Sequence, residues 1–380
     1  MTSAMNERVV VAMSGGVDSA VAAARLLDAG YDVVGVTLHL WDYPEGEGAG
    51  SHGRCCAPED QYDARRTADA LGFPHYTFDR RALFQDTVVT PFVDAYLAGE
   101  TPSPCATCNR GVKLRELFGL ADRLGARHVA TGHYARIVRD EEGSREDDVF
   151  LAQARDLSKD QSYFLYATPR RELSRLLFPV GESTKAEVRA EAVARDLPGA
   201  TKGESQELCF VGTKAHAYTS FVEARAGDRV RPGPIVASDG REVGQHTGIH
   251  RFTVGQRKGV GVASANPSYV TRIDATTGRI HLGDESSLLA GSATVDRAVL
   301  APNVELPRRA RIRVRYRHEG ASGEIRVAAS RPKAHTGPDE PTLEVCFDEP
   351  VRAVTRGQVA VFYDGDRVIG GGTISATSPA

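Results

Sequence analysis

Near the start of this 380-residue chain, the run Ser14-Gly15-Gly16-Val17-Asp18-Ser19 combines a pliable backbone with hydroxyls and a carboxylate. The preceding residues, Val9–Met13, are apolar and largely β-branched, which predicts a buried strand. Ala20–Leu27 is rich in Ala and Leu and predicts a helix that stops near Gly30. A glycine turn between a strand and a helix N-terminus exposes backbone N–H groups and adds the positive end of the helix dipole. That is anion-binding chemistry. Sulfur chemistry is the second possibility. Cys105-Ala106-Thr107-Cys108 follows the stiff run Thr101-Pro102-Ser103-Pro104, and Cys209 follows the polar run Lys202–Glu207. A helix expected to start near Asn109 would place Cys108 at its N-terminus, where a thiol ionises more readily.

The loop is not a Walker A motif, because no Gly-Lys-Ser/Thr follows its glycines, and it lacks the GxGxxG spacing of dinucleotide sites. SGGxDS is similar to the PP-loop of ATP pyrophosphatases, which transfer AMP to an oxygen and release pyrophosphate. The plain alternative is a tight turn capped by Ser and Asp without a ligand. For the cysteines three readings stand. Cys108 and Cys209 form a redox or sulfur-transfer pair. Cys55, Cys56, Cys105 and Cys108 hold a metal or cluster, although adjacent Cys55-Cys56 is poor geometry for one ion. Or the cysteines are inert core residues, the reading adopted for Cys346 in the β-like run Leu343–Phe347.

Strand-like runs at Val9–Met13, Val33–Leu38, His75–Phe78 and His128–Ala130 alternate with helix-like runs at Ala20–Leu27, Glu59–Leu71, Leu83–Leu97 and Lys113–Leu124. That alternation predicts an α/β domain with a parallel sheet, whose ligands bind beyond the C-terminal strand ends. Thr184 with Glu187 three residues later predicts a capped helix start. Gly46–Gly53 is expected to be a flexible loop and Arg139–Asp148 a hairpin tip. After residue 205 glycine becomes dense and short β-like runs take over. Residues 210–282 suggest a small mixed domain. From about 290 the runs Arg308–Arg317, Ser322–Val327, Thr342–Phe347, Gln358–Tyr363 and Arg367–Gly370 predict a small closed barrel, with a turn at Asp364-Gly365 and a frayed end from Ser375.

Net charge is −3, so global charge does not point to a nucleic-acid partner. The composition is that of a soluble globular protein, and no apolar run approaches a membrane span of roughly 20 residues. No secretory signal is evident in Met1–Arg8, so a cytoplasmic protein without a membrane partner is expected. In a reducing compartment six cysteines are not a disulfide scaffold. One local feature does suggest a polyanion. Arg309, Arg311, Arg313, Arg315 and Arg317 recur every second residue, which on a strand would put all five on one face. A solvated strand edge is the competing explanation.

Taken together, SGGVDS, Cys55-Cys56, TPSPCxxCN (101–109), ATGHY (130–134), KDQSYFL (159–165), ELCF (207–210), GQRKG (255–259), Arg315-Tyr316-Arg317 and TxGQxAVFY (355–363) resemble the tRNA-specific 2-thiouridylases. The resemblance spans nearly the whole chain. It implies a PP-loop (adenine nucleotide alpha hydrolase-like) parallel-sheet domain over residues 1–205, a small mixed central domain over 206–283 carrying the Cys209 loop at its start, and a tRNA-binding all-β barrel over 284–380. It implies replacement of the wobble uridine O2 by sulfur in tRNAs for Lys, Glu and Gln, with ATP and Mg²⁺ and no permanently bound metal.

By residue, the resemblance implies that Ala12, Met13, Ser14, Gly15, Gly16, Val17, Asp18, Ser19, Leu38 and Gly132 bind ATP. Cys108 would be the nucleophile and Cys209 the persulfide carrier, the two forming a disulfide in turnover. Ser103, Pro104 and Cys105 would contact the target base, and His133, Lys159, Asp160, Gln161, Arg315, Tyr316 and Gln358 the tRNA. The sulfur donor would be a cysteine desulfurase or a relay protein. The chain departs from the commoner Asn-Pro-Asp pattern with Ser103-Pro104-Cys105, which removes a candidate general base. Two alternatives follow: an iron–sulfur-dependent tRNA thiolase using Cys105, Cys108 and Cys209, or a PP-loop ligase or amidotransferase acting on a small molecule.

Overall fold

The computed structural model describes residues 7–42, 58–139, 149–200, 202–203, 208–211, 217–262, 266–301, 304–329 and 340–380. Cys55, Cys56, the Gly46–Gly53 loop, the Asp148 end of the expected hairpin tip and Glu204–Glu207 lie outside the described residues. The chain divides into two compact units. One comprises residues 1–88, 105–214 and 366–368, the other 89–104, 215–365 and 369–380.

The first unit carries β1 (Arg8–Ala12), α1 (Val17–Asp28), β2 (Asp32–His39), α2 (Pro58–Leu71), β3 (His75–Asp79) and α3 (Arg81–Phe84). A π-helical turn at Gln85–Val89 then leads into α4 (Thr90–Leu97), which belongs to the second unit. The expected single helix Leu83–Leu97 is therefore broken. Pro91 has no N–H to continue the helical ladder, and the turn before it widens.

Next come α5 (Pro104–Cys108), a second π turn (Asn109–Lys113) and α6 (Leu114–Arg123). They are followed by β4 (His128–Thr131), β5 (Ala135–Arg139), β6 (Val149–Gln153), α7 (Ser162–Leu165), α8 (Arg170–Leu173), β7 (Leu176–Leu177) and α9 (Lys185–Ala194). The central sheet has the order β3-β2-β1-β4-β7, with every neighbour parallel. Val9, Val10 and Val11 of β1 are all fully buried, so both faces of the middle strand are covered. Val9 and Val11 pack with Ala64 and Ala68 of α2 and Ala23 and Leu26 of α1. The opposite side of α1 packs on Val188 and Ala192 of α9. Helix α9 starts with the expected capping box: Thr184 Oγ1 accepts from Glu187 N–H, and Glu187 Oε2 accepts from Thr184 N–H.

The second unit contains α10 (Ala217–Ala226), β8 (Gly233–Val236), β9 (Glu242–His246), β10 (Tyr269–Asp274) and β11 (Arg279–Gly283), the strands forming a sheet of order β10-β11-β8-β9. Then follow β12 (Leu289–Leu300), β13 (Arg308–Arg313), β14 (Ala321–Val327), β15 (Leu343–Arg352), β16 (Val359–Asp364) and β17 (Arg367–Pro379). These run in the order β12-β15-β14-β13-β16-β17, and β12 also pairs with β17, which closes a six-stranded barrel. Val295, Ile312, Ile325, Leu343, Val345, Phe362 and Ile374 fill it.

Two expectations are corrected here. The chain end is not frayed, because Ser378 and Pro379 pair with Ser292 and Ala290 and so help close the barrel. The arginine strand ends at Arg313, and the chain bends through residues 314–317. Arg315 and Arg317 therefore do not share a strand face with Arg309, Arg311 and Arg313.

Candidate functional site

The Ser14–Ser19 loop lies at the C-terminal end of β1, in the middle of the parallel sheet, as anion loops of such sheets do. Gly15 has φ +73°, and a Cβ there would stand 2.0 Å from the Asp60 carbonyl oxygen, so only glycine fits. Ser19 braces the turn: its hydroxyl donates to the Gly16 carbonyl (2.9 Å) and accepts from Ser14 N–H (3.2 Å). Gly16 is the N-cap of α1, and no side chain caps that end. A Cβ on Gly16 would meet nothing nearer than Ser14 Oγ at 3.5 Å, so the space over this residue is open. Uncapped N–H groups beneath open space fit a phosphate. Gly132, just after β4, closes one side, because a Cβ there would stand 2.7 Å from Ser19 N. Leu38 is buried at the C-terminal end of β2, and Ala12 and Met13 lead into the loop.

The second residue of α1, Asp18, is the hub of a polar network. Its carboxylate accepts from Lys185 Nζ through both oxygens, at 2.7 Å each, and from the Tyr134 hydroxyl at 2.8 Å. Lys185 is only 9% exposed and is the first residue of α9, where the helix dipole disfavours a cation. That misfit is the one sequence signal that could have singled it out, and sequence reasoning passed over it. Tyr134 continues the network, since its N–H donates to Gln161 Oε1 (2.9 Å) and its carbonyl accepts from Gln161 N–H (2.8 Å). On the other side of the loop Lys202 Nζ pairs with Asp60 (2.9 Å) and with Asp63. Burial pushes the Asp60 carboxyl up, against the opposing pull of Lys202. Lys202 opens the run toward Cys209, so this pair ties the base of the Cys209 segment to α2.

The cysteines are presented differently from expectation. The helix begins at Pro104, not near Asn109, because proline suits a first helical position. Cys108 is thus the last residue of α5 and lies just before a π turn, and the N-terminal dipole reaches Cys105 instead. Cys108 is buried and Cys105 exposed. The two π turns of this region abut, since a Cβ at Gly111 would stand 2.7 Å from Thr87 Cγ2. Cys209 is half-buried, and its neighbour Phe210 packs edge-on against Phe84 (5.6 Å) and Trp41 (6.2 Å), which follows β2. Among the described residues no group of three or more His, Cys, Asp or Glu side chains is placed to hold a metal ion, and Cys105, Cys108 and Cys209 are all described.

Among the other expected contacts, His133 is half-buried, with Nδ1 2.8 Å from Thr131 Oγ1. Burial, helped by the Lys113 charge, pushes its pKa down to about 3, so the ring is neutral at pH 7. Asp160 is 2% exposed. Its carboxylate accepts from Ala154 N–H, Gln153 Nε2, Ser162 N–H and Ser162 Oγ, all within 3.2 Å, so it holds the Lys159–Gln161 segment in shape. Lys159 and Gln161 are half-buried on either side of it.

In the second unit Arg309 pairs with Asp348 and Arg308 with Asp364. Arg311 donates to the Glu319 carbonyl (2.8 Å), and its guanidinium lies 4.7 Å from the Tyr363 ring centroid. Arg313 is buried and donates to the carbonyls of His318 (2.9 Å) and Tyr316. Neighbouring strands and turns thus absorb most of the charge expected to repel along β13. Arg315 and Arg317 are exposed and Tyr316 half-buried, as Arg257 and Lys258 are exposed on their turn. Gln358 donates to the Thr101 carbonyl at 2.8 Å, within the same unit as Ser103 and Pro104.

The family model described as tRNA methyl transferase HUP domain matches residues 7–213. A second, described as tRNA methyl transferase PRC-barrel domain, matches 219–284, and a third, described as Aminomethyltransferase beta-barrel domain, matches 295–374. A protein of Sorangium cellulosum (strain So ce56) named tRNA-specific 2-thiouridylase MnmA is 61% identical over 369 residues, covering 97% of this chain and 92% of that protein. The chain belongs to the tRNA-specific 2-thiouridylase family. Relatives of the same name from Solibacter usitatus (strain Ellin6076) and Acidobacterium capsulatum are 46% and 42% identical, each covering at least 96% of this chain and 98% of the relative. The 2-thiouridylases are sulfurtransferases, and this chain is an enzyme of that kind. Its parallel-sheet domain, middle domain and closed barrel are the architecture expected from sequence. No helix among the described residues is long and apolar enough to cross a membrane.

Proposed function

We propose that this enzyme replaces O2 of the wobble uridine in tRNAs for Lys, Glu and Gln by sulfur, at the expense of ATP. The observation that carries the reading is the uncapped, open α1 N-terminus at Gly16, closed in by Gly132 and backed by the Lys185–Asp18 pair. Ala12–Ser19, Leu38 and Gly132 hold ATP, and Asp18, whose carboxylate accepts from Lys185 here, would be the oxygen ligand offered to Mg²⁺, a hard cation. The domains run 1–205, 206–283 and 284–380.

Uridine O2 is a poor leaving group. ATP supplies an adenylyl group to that oxygen and releases pyrophosphate, whose charge the α1 N-terminus stabilises. The terminal sulfur of a Cys209 persulfide attacks C2 and expels AMP, which leaves a Cys209–S–S–C2 linkage. Cys108 thiolate then attacks the Cys209 sulfur, which releases 2-thiouridine and forms a Cys108–Cys209 disulfide for an external thiol to reduce. Ser103, Pro104 and Cys105 face the base, which must leave its stack to react. His133, Lys159, Gln161, Arg315, Tyr316 and Gln358 serve the tRNA. Asp160 serves it indirectly, by shaping its loop. The persulfide comes from a cytoplasmic cysteine desulfurase or a relay protein. The descriptions of the family models speak of methyl transfer, but two cysteines on separate segments of a domain that carries an ATP-type loop suit sulfur.

The test is mass spectrometry of tRNA nucleosides after incubation with ATP, Mg²⁺, a cysteine desulfurase with L-cysteine as persulfide donor, dithiothreitol and anaerobically purified protein, with iron measured on the same sample. 2-Thiouridine from iron-free protein supports the persulfide route. Product that tracks iron would replace it with a cluster on Cys105, Cys108 and Cys209. No product would sink both and return the loop to ligase chemistry.

A further inference from the structure

One turn of the second unit, residues 253–259, spends its side-chain amide on its own shape. Gln256 Oε1 accepts from Thr253 N–H (3.0 Å), and Gln256 Nε2 donates to the Lys258 carbonyl (3.0 Å). The first residues of β10 hold its backbone. Gly255 N–H donates to the Val270 carbonyl at 2.7 Å, and Val270 N–H donates to the Gln256 carbonyl at 2.9 Å. Arg257 and Lys258 stand exposed on this braced turn.

The turn and the bend after β13 meet at the end of β15. Gly255 has φ +90°, and a Cβ there would stand 3.0 Å from Ala353 Cβ, so the turn lies against Ala353. From the bend, Arg315 Nη1 donates to the carbonyl of Arg352, the preceding residue, at 3.2 Å. Two basic segments therefore flank one short stretch of backbone, all within the second unit. The Arg352 side chain is committed elsewhere: it pairs with Glu285 at 3.0 Å and lies 5.3 Å from the Tyr269 ring centroid. Arg257, Lys258, Arg315 and Arg317 are all exposed, and among the described residues no carboxylate pairs with any of them.

We propose that the turn Gly255-Gln256-Arg257-Lys258-Gly259 binds the phosphate backbone of the tRNA, as a continuation of the 315–317 bend. Unmatched cations gathered on one surface repel, and a run of phosphates relieves that repulsion. Both segments are already ordered by hydrogen bonds, so little is lost in fixing them on the RNA. The turn reads no base through an amide, because its one side-chain amide is satisfied at both ends. This inference rests on the tRNA reading above and adds Arg257 and Lys258 to it.

The test is filter binding of tRNA at several salt concentrations to the full-length protein and to Arg257→Ala, Lys258→Ala and the double variant. Each single change should raise Kd about three- to tenfold at low salt and lower the slope of log K against log salt by about 0.7 to 0.9. The double variant should lower it by about 1.4 to 1.8. Arg279→Ala is the control, an exposed arginine opposite Asp274 at the far end of the β10–β11 hairpin, and its slope should match wild type. An equal drop in Arg279→Ala would reduce the effect to overall charge and overturn the proposal, as would wild-type slopes in the turn variants. The same shifts should appear with a transcript whose wobble uridine is replaced by cytidine, and a shift confined to the uridine transcript would make the turn a base contact instead. If wild type binds tRNA but forms no 2-thiouridine, the proposed function fails while the slopes still decide this one. If wild type binds no tRNA, both fall.

Discussion

Lys185 Nζ bridges both carboxylate oxygens of Asp18 at 2.7 Å, although the two residues are 167 apart in sequence. The pair joins the first turn of α9 to the first turn of α1, beside the open space over Gly16. A buried lysine with one acidic partner is costly to orphan, whereas loss of both charges together is much less so. Lys185→Met is expected to cost about 2 kcal/mol of stability and Asp18→Asn about as much, while the double variant recovers most of the loss. Activity is expected not to recover with it, because the proposed function gives both groups a part in holding pyrophosphate and Mg²⁺. Urea unfolding together with ATP-dependent thiolation on the four proteins separates the roles. Recovery of activity in the double variant would make the pair purely structural.

The two loop glycines should part company under alanine. Gly15→Ala forces a Cβ to within 2.0 Å of the Asp60 carbonyl and a side chain onto φ +73°. It should destabilise the fold by more than about 2 kcal/mol. Gly16→Ala meets only Ser14 Oγ at 3.5 Å, in an extended conformation that alanine tolerates. Its melting temperature should match wild type, yet the methyl enters the space that phosphate needs. ATP affinity should fall at least about tenfold by calorimetry. Full ATP affinity in Gly16→Ala would move the nucleotide away from this loop.

That contrast marks what local sequence could convey. The strand–glycine–helix order, the parallel strands and the Thr184 capping box are short-range features, so spacing alone exposed them. The Asp18–Lys185 and Asp60–Lys202 pairs join residues more than 140 apart, and nothing in a linear pattern announces such pairing. The helix at Pro104 is not legible from the proline alone, because proline both stiffens loops and begins helices. The bend after Arg313 was missed because a period of two continues past the strand. Arg313 turns inward there to satisfy the carbonyls of Tyr316 and His318.

The four described cysteines should divide into two classes. Cys108→Ser and Cys209→Ser should each abolish 2-thiouridine, while pyrophosphate release persists because adenylation needs neither thiol. Cys346→Ser, on the barrel strand β15, should leave the rate within about twofold. Cys105→Ser decides between mechanisms. Near-wild-type product would assign Cys105 to base contact alone, whereas complete loss would revive a three-cysteine cluster. Nucleoside mass spectrometry and pyrophosphate release give both readings on one sample.

His133 should make the protein acid-sensitive. Its folded pKa of about 3 lies below the roughly 6.5 of an unfolded histidine, so below pH 6.5 the unfolded chain takes up a proton that the folded chain refuses. Stability therefore falls as pH drops from 6.5 toward 3. Burial acts in the same direction on His75 and His318, so the effect is shared. His133→Gln should lose less stability than wild type between pH 7.0 and 5.5, measured as the shift in urea midpoint. An equal loss would show that the imidazole is readily protonated in the fold.

Along β13 the partners, not the spacing, decide which arginines can serve RNA. Arg309 is already paired with Asp348, and Arg313 is buried with its donors committed to two carbonyls. Arg309→Ala should leave tRNA affinity within about twofold. Arg313→Ala should act chiefly on stability, because it strands those carbonyls in the barrel. Arg315 is exposed on the bend and donates to the Arg352 carbonyl at 3.2 Å, and among the described residues no carboxylate pairs with it. Arg315→Ala should weaken tRNA binding and lower the slope of log K against log salt by about 0.7 to 0.9, the signature of one lost phosphate contact. Filter binding at several salt concentrations gives both numbers. A slope that changes in Arg309→Ala but not in Arg315→Ala would return the RNA to the strand face and take it off the bend.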